Sequence, residues 1–300
     1  MGRARGAARV PSRTAAVPAP GADSAPHPRP PEDRMLTTNF VPGTPNWLDL
    51  GAPDVDAAVA FYTSVFDWDF RSAGPEGGGY GFFLRDGKTV AAVGPLMEEG
   101  AAASWTPYFH TRDADATRAA VERAGGSVRA EPMDVFTAGR LAQFTDPTGA
   151  GFAVWQPGDT VGLDVVMEPE TLCWTELYTT DAAAAKEFYA AVFSWSYQDM
   201  PMGDDVVYTV FSAPGGGVPD DPGQGGIMQL AQQNRDAGSG SEWHPYFATE
   251  DCDATCTRAT GAGAKMLMPP TDAPGVGRLA MLKDPAGAPF ALIKGDPDRG

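Results

Sequence analysis

Two short runs place an indole two residues before a carboxylate, Trp47-Leu48-Asp49 and Trp174-Thr175-Glu176. Two others join a phenol to an imidazole at the same spacing, Thr106-Pro107-Tyr108-Phe109-His110 and His244-Pro245-Tyr246. In an extended strand, residues two apart share a face, so each run presents its functional groups on one side. Aromatic faces beside a carboxylate attract cations and flat rings. An imidazole beside an acid can move protons near neutral pH. Imidazole is scarce: the chain holds three histidines, His27, His110 and His244, so a centre built from two or three of them starts with almost no material.

Other chemistries are excluded quickly. The runs Gly77-Gly78-Gly79 and Gly215-Gly216-Gly217 lack a following Lys-Ser/Thr and a helix start, so they form no phosphate loop. There is no Gly-x-Ser-x-Gly nucleophile elbow. Three cysteines, Cys173, Cys252 and Cys256, are too few and odd in number for a disulfide framework. The Cys252/Cys256 pair has no second pair to complete a tetrahedral zinc site, and Cys173 reads as buried packing. A net charge of −17 repels phosphate backbones and anionic lipid, so neither nucleic acid nor membrane is an expected partner. No apolar run approaches the roughly 18 to 20 residues of a bilayer span. A reducing, cytoplasmic setting is the expectation.

Internal repetition organises the chain. Trp47, Asp49, Asp54, Phe61-Tyr62, Phe66 and Trp68 recur 127 residues later as Trp174, Glu176, Asp181, Phe188-Tyr189, Phe193 and Trp195. Trp105, Pro107-Tyr108-Phe109, Asp113, Arg140-Leu141-Ala142, Asp146-Pro147, Gly149 and Phe152 recur at a shift of 138. The extra eleven residues fall in the Gly/Pro-rich stretch near Gly215 to Gly226, as a loop insertion would. Two homologous domains are expected, 44–157 and 171–295, with an acidic linker at 158–170. Residues 1–40 stand apart: Pro-rich, with six arginines against three acids, they are expected to be disordered. Initiation at Met35 is an equally open reading.

Each copy alternates its periodicity. In the first, a strand at Trp47–Leu50 precedes a helix capped by Asp54, with Val55, Val59, Tyr62 and Phe66 at helical spacing. Strands at Tyr80–Leu84 and Thr89–Val93 follow. A second round runs from a strand at Trp105–Thr111 through a helix ending before Gly125-Gly126. Strands near Ser127–Arg129, Arg140–Phe144 and Gly151–Gln156 close the domain, the last two joined by an Asp146-Pro147-Thr148-Gly149 turn. Each domain thus reads as βαβββ twice over, an α+β fold.

The order of strand, capping Asp54, helix ending Phe61-Tyr62-x-x-x-Phe66-x-Trp68, and late Asp146-Pro147-x-Gly149 hairpin resembles the vicinal oxygen chelate superfamily. That superfamily comprises glyoxalases, bleomycin-resistance proteins and extradiol dioxygenases. The resemblance covers residues 44–295. It implies paired βαβββ modules forming a curved mixed sheet around a concave pocket in each domain. Counting from the family's landmarks, the positions of its metal ligands fall on Trp47, Thr106 and Ala153 in the first domain and on Trp174, His244 and Ala291 in the second. Only His244 can ligate, so no metal and no cofactor are expected, and extradiol chemistry is close to excluded. A ligand would instead meet Trp47, Asp49, Thr106, Tyr108, His110 and Trp155, or Trp174, Glu176, His244 and Tyr246.

The leading reading is a metal-free protein binding an aromatic or cationic small molecule. The alternatives are a glyoxalase-like lyase or a hydroxylase/isomerase using Glu176, His244 and Tyr246, and a scaffold with vestigial pockets. Plainer roles stand beside each residue. The tryptophans can fill space a metal vacated, Asp49 and Glu176 can pair with Arg140 and Arg278, and His110 can be merely solvated. Asp54 and Asp181 read as helix caps, and Asp146 and Asp284 as turn residues. A monomer or homodimer is expected, since a tandem chain can pair its modules internally.

Overall fold

Among the described residues, every long helix starts on an aspartate. Asp54, Asp113, Asp181 and Asp251 each accept, through one carboxyl oxygen, the backbone N–H three residues on. These caps satisfy donors that a helix start leaves unpaired. In a computed structural model, which describes residues 36–98, 100–202, 206–217 and 223–296, the four capped helices sit at equivalent points of four βαβββ modules.

The first domain runs β1 (Pro45–Ala52), α1 (Val55–Val65), β2 (Asp69–Ser72), β3 (Gly81–Arg85) and β4 (Lys88–Pro95). Its second module is β5 (Ser104–His110), α2 (Ala114–Arg123), β6 (Ser127–Val135), β7 (Gly139–Thr145) and β8 (Gly151–Pro157). The second domain begins with β9 (Leu172–Thr179), α3 (Ala182–Phe193), β10 (Ser196–Pro201), β11 (Val207–Ser212) and β12 (Gly225–Gln229). After a short α4 (Gln232–Asp236) come β13 (Glu242–Ala248), α5 (Cys252–Gly261), β14 (Lys265–Ala273), β15 (Gly277–Lys283) and β16 (Pro289–Gly295). Each domain is one 8-stranded sheet, ordered β2-β3-β4-β1-β5-β8-β7-β6 and β10-β11-β12-β9-β13-β16-β15-β14. The first strands of the two modules therefore lie side by side at the centre, where the functional candidates sit. This is the expected α+β architecture of two tandem mixed sheets.

Three details differ from the sequence reading. Strand β2 was not anticipated, because three of its four residues are polar and exposed, only Phe70 packs inward, and the strand lies on the sheet edge. Helix α1 buries a wider stripe than expected: Tyr62 and Phe66 are buried and Val55 and Val59 half-buried against the core, as expected, and Ala58, Phe61 and Val65 are buried beside them. The expected 1–40 extension falls mostly outside the described residues, but Leu36 is buried and joins the core, so the fold begins before residue 40.

The two domains interlock. Phe66 meets Phe247 at 5.2 Å between ring centroids, and Phe152 meets Tyr189 at 5.4 Å. At the centre of each contact a hydrogen-bonded chain crosses the boundary. Trp105 Nε1 donates to the Tyr62 hydroxyl (2.9 Å), which donates to Asp284 (3.2 Å). Symmetrically, Trp243 Nε1 donates to the Tyr189 hydroxyl (3.1 Å), which donates to Asp146 (3.0 Å). The two sequence motifs, Phe-Tyr helix and Asp-Pro-x-Gly hairpin, thus meet each other across the domains.

The segment between the domains is bound rather than loose. Asp164 accepts the Thr89 amide (2.7 Å), Glu170 accepts the Asp67 amide (2.8 Å), and Leu163, Val165 and Val166 are buried.

Candidate functional site

Antiparallel pairing of β1 with β5 sets Trp47 opposite Tyr108 and Asp49 opposite Thr106. Parallel pairing of β5 with β8 continues the rows to Ala153 and from His110 to Trp155. All the first-domain candidates therefore share one face of three central strands. Asp49 organises them. Trp47 Nε1 and the Tyr80 hydroxyl each donate to Oδ1 at 2.7 Å, and the Tyr108 hydroxyl donates to Oδ2 at 2.8 Å. Burial raises the Asp49 pKa above the ordinary carboxyl value even though the hydrogen bonds from Tyr80, Tyr108 and Trp47 pull the other way. Burial also pushes the phenols of Tyr80 and Tyr108 upward, reinforced by the neighbouring carboxylate, so both remain donors at neutral pH.

The other candidates are peripheral. Trp155 spends its indole N–H on the Thr160 carbonyl (2.8 Å). His110 is half-buried, its Nδ1 has no partner, and burial followed by the Arg112 charge lowers its pKa. Thr106 is half-buried beside Asp49.

In the second domain Trp174 lies opposite Tyr246, and Glu176 opposite His244. Trp174 Nε1 donates to the Tyr208 hydroxyl (2.9 Å), which donates to Glu176 Oε2 (2.9 Å). The Tyr178 and Tyr246 hydroxyls share a hydrogen bond of 3.1 Å. His244 is buried, lies tilted against Tyr178 with ring centroids 4.7 Å apart, and holds Nε2 3.0 Å from Glu242 Oε1, while its Nδ1 has no partner. Burial raises the Glu176 pKa, offset in part by Tyr178, Tyr208, the His244 charge and Tyr246. Burial acts upward on Glu242 as well, yet His244 and Lys283 hold its pKa below the ordinary value.

Sequence reasoning missed Tyr80, Tyr178, Tyr208, Glu242 and Gln143, whose side-chain amide stands 3.5 Å from the Tyr108 hydroxyl. Tyr178 was within reach, since it continues the alternation Trp174, Glu176 by one step. Tyr208 arrives from a strand two places away, and it reaches Glu176 because Gly226 lies beneath it. A Cβ on Gly226 would stand 2.0 Å from the Tyr208 hydroxyl oxygen. The proposed pairing of Asp49 and Glu176 with arginine is corrected. Arg140 binds Asp115 (3.0 Å) and Asp134 (2.9 Å), and Arg278 binds Asp253 and Asp272, because one acid at a helix start and one directly across on the neighbouring strand meet each guanidinium. Asp54 and Asp181 are caps, as expected.

The residues do not fit a divalent metal of the kind the fold hosts. Such an ion needs several converging oxygen or imidazole donors. Trp47 offers an N–H already given to Asp49, and Ala153 and Ala291 offer no donor atom. Among the described residues no group of three or more His, Cys, Asp or Glu is placed to hold a metal ion. A separate cleft of about 270 Å³ lies between the domains, where Arg85 and Arg258 both reach Glu170, at 3.8 and 3.7 Å.

Comparison with known proteins bears on both domains. Residues 44–154 match the profile of the glyoxalase/bleomycin resistance protein/dioxygenase superfamily, and residues 174–293 match that of a glyoxalase-like domain. The anthracycline biosynthesis protein DnrV of Streptomyces peucetius is 39% identical over 274 residues, spanning 86% of this chain and 95% of that one. CFP32 of Mycobacterium bovis, whose name carries a provisional glyoxylase label, is 37% identical over 262 residues, spanning 86% of this chain and 97% of that one. Among solved structures, the Mn(II)-bound glyoxalase from Novosphingobium aromaticivorans superposes with a TM-score of 0.57 at 18% identity, over 84% of this chain and 82% of that one. At that identity the likeness is one of fold. No helix among the described residues is long and apolar enough to cross a membrane.

Proposed function

The chain belongs to the glyoxalase/bleomycin resistance protein/dioxygenase superfamily, and from that premise we propose that it binds a flat aromatic or cationic small molecule in its concave sheets without a metal ion. The observation that carries this reading is the hydrogen-bonded floor that each domain builds from an indole, tyrosines and one buried acid. In the first, Trp47, Tyr80 and Tyr108 converge on Asp49, and in the second Trp174 reaches Glu176 through Tyr208, with an indole and an alanine in each domain (Trp47 and Ala153, Trp174 and Ala291) at positions where a metal centre would need ligands. Such a floor offers ring faces for stacking and one acid as counter-charge to a cation. The name of the DnrV relative, which ties it to anthracycline biosynthesis, is in keeping with a flat polycyclic ligand. One chain carries both sheets packed together, which is compatible with a monomer or a homodimer.

A second reading, turnover in the second domain, is favoured by one observation. Glu176 is a buried acid with a raised pKa that accepts a phenol hydrogen bond and faces His244, a combination suited to proton transfer. A lyase or an isomerase would use it.

Calorimetric titration with a hydroxylated anthraquinone and with a cationic amine, each with and without chelator, tests the proposal. Binding of at least one of them, with an affinity that chelator leaves unchanged, is expected. Binding that disappears with chelator and returns with a divalent ion would overturn it. Conversion of the bound compound, lost in Glu176→Gln, would install the second reading.

A further inference from the structure

The two concave sheets are not equivalent. In the second domain, the register places Met200 opposite Tyr208, Tyr208 opposite Met228, and Met228 opposite Tyr178, one row across four strands. A second row carries Tyr246, Ala291, Met281 and Met268. Glu176 and His244 lie between the rows. Four of the chain's eleven methionines thus flank one acid and one imidazole on a single face. The Tyr178 hydroxyl reaches the Met281 sulfur at 3.6 Å, so the two rows touch.

The duplication does not supply this lining. At the repeat shifts, Tyr178 corresponds to Gly51, Met281 to Gln143, Met268 to Ala130 and His244 to Thr106. Thioethers are flexible and polarizable, and they make favourable contacts with aromatic rings while adapting to their outline. Polar recognition differs as well. In the first domain the donors around Asp49 are already spent on it, and the unpartnered Nδ1 there belongs to His110, a half-buried residue beside Trp155 and off the Asp49 floor. In the second, His244 is buried with an unpartnered Nδ1, a group that gains when a ligand hydroxyl or carbonyl meets it. The acidic chain favours a cationic or neutral ring over an anionic one.

We infer that the second domain is the ligand-holding half, taking a flat aromatic ring system between Met228, Met268 and Met281, with the ring's polar edge at His244 and Glu176. This rests on the capture reading above and narrows it to one domain and to aromatic compounds.

Methyl-13C-methionine labelling of the full chain separates the two. Its methyl signals, assigned with Met→Leu variants, are followed while aminoacridine, a flat cation, is added, with tetrabutylammonium as the non-aromatic comparison. Ring-current shifts at Met228, Met268 and Met281, with Met97 and Met133 of the first domain unmoved, are expected. Aminoacridine binding should weaken about ten-fold in M228L/M268L/M281L, a volume-conserving variant that keeps the fold. Shifts confined to Met97 and Met133, or equal in both domains, would overturn the assignment while leaving capture intact. Binding of tetrabutylammonium alone would overturn the aromatic class. Absence of methionine shifts and of tryptophan quenching with either compound would overturn this inference together with the capture reading.

Discussion

Replacing Gly226 by alanine tests how the second-domain floor is built. The backbone at Gly226 is not in the left-handed region, so alanine fits the strand itself. The obstacle is Tyr208. The new Cβ would lie 2.0 Å from its hydroxyl oxygen and 2.5 Å from Cζ, whereas ordinary contact begins at 3.4 Å. The hydroxyl must therefore withdraw by about 1.4 Å, which breaks both of its 2.9 Å hydrogen bonds, to Glu176 and from Trp174. Losing the bond to the carboxyl costs about 1.5–3 kcal/mol and the neutral one about 1 kcal/mol. Stiffening of the unfolded chain by alanine returns about 0.4–1 kcal/mol. A net loss of roughly 2–3 kcal/mol is expected, read from urea denaturation monitored by tryptophan emission. In a Tyr208→Leu background the same substitution should cost under about 1 kcal/mol, because the interaction it disrupts is already gone. An unchanged stability for G226A, or an equal cost in both backgrounds, would refute this account of the floor.

Three further outcomes follow from the same geometry. Tyr62→Phe or Tyr189→Phe strands a buried indole N–H and an aspartate across the domain boundary. Each should cost about 1–3 kcal/mol in a single unfolding transition, and two separate transitions in the parent protein would contradict the interlock. Burial raises the folded pKa of Glu176, so the folded state holds that proton more tightly than the unfolded chain. Its contribution to stability then falls as pH rises from the ordinary carboxyl range through the raised one. The stability of E176Q relative to parent should accordingly increase from about pH 4 to about pH 8, and a flat or opposite trend in urea midpoints would contradict that sign. Cys173 is buried, and burial pushes its thiol pKa up. It should react with a thiol reagent only at the rate of unfolding, and rapid labelling of the native protein would show otherwise.

The repeat and the alternation of strands made most of the floor legible in advance. Trp47 and Asp49 share a face because extended backbone alternates its side chains, the β1–β5 register brings Tyr108 to the same face, and the second copy repeats it. The limits of that reading are equally physical. Period-two alternation tells which face a side chain takes but not which side chains arrive from strands elsewhere in the sheet, so Tyr80 and Tyr208 went unseen. Arg140 and Arg278 were misassigned because their partners lie on helix starts and on neighbouring strands remote in sequence. Asp146 and Asp284 are turn residues, as their Asp-Pro context dictates. Their second role, accepting a tyrosine from the other domain, exists only once the domains dock.

Metal content tests the central claim most directly. Protein purified without chelator and analysed by elemental mass spectrometry should contain far less than one equivalent of zinc, nickel, manganese or iron per chain. Near-stoichiometric metal that survives dialysis, and that is lost in His244→Ala or Glu176→Gln, would contradict the account and make metal-assisted turnover its replacement.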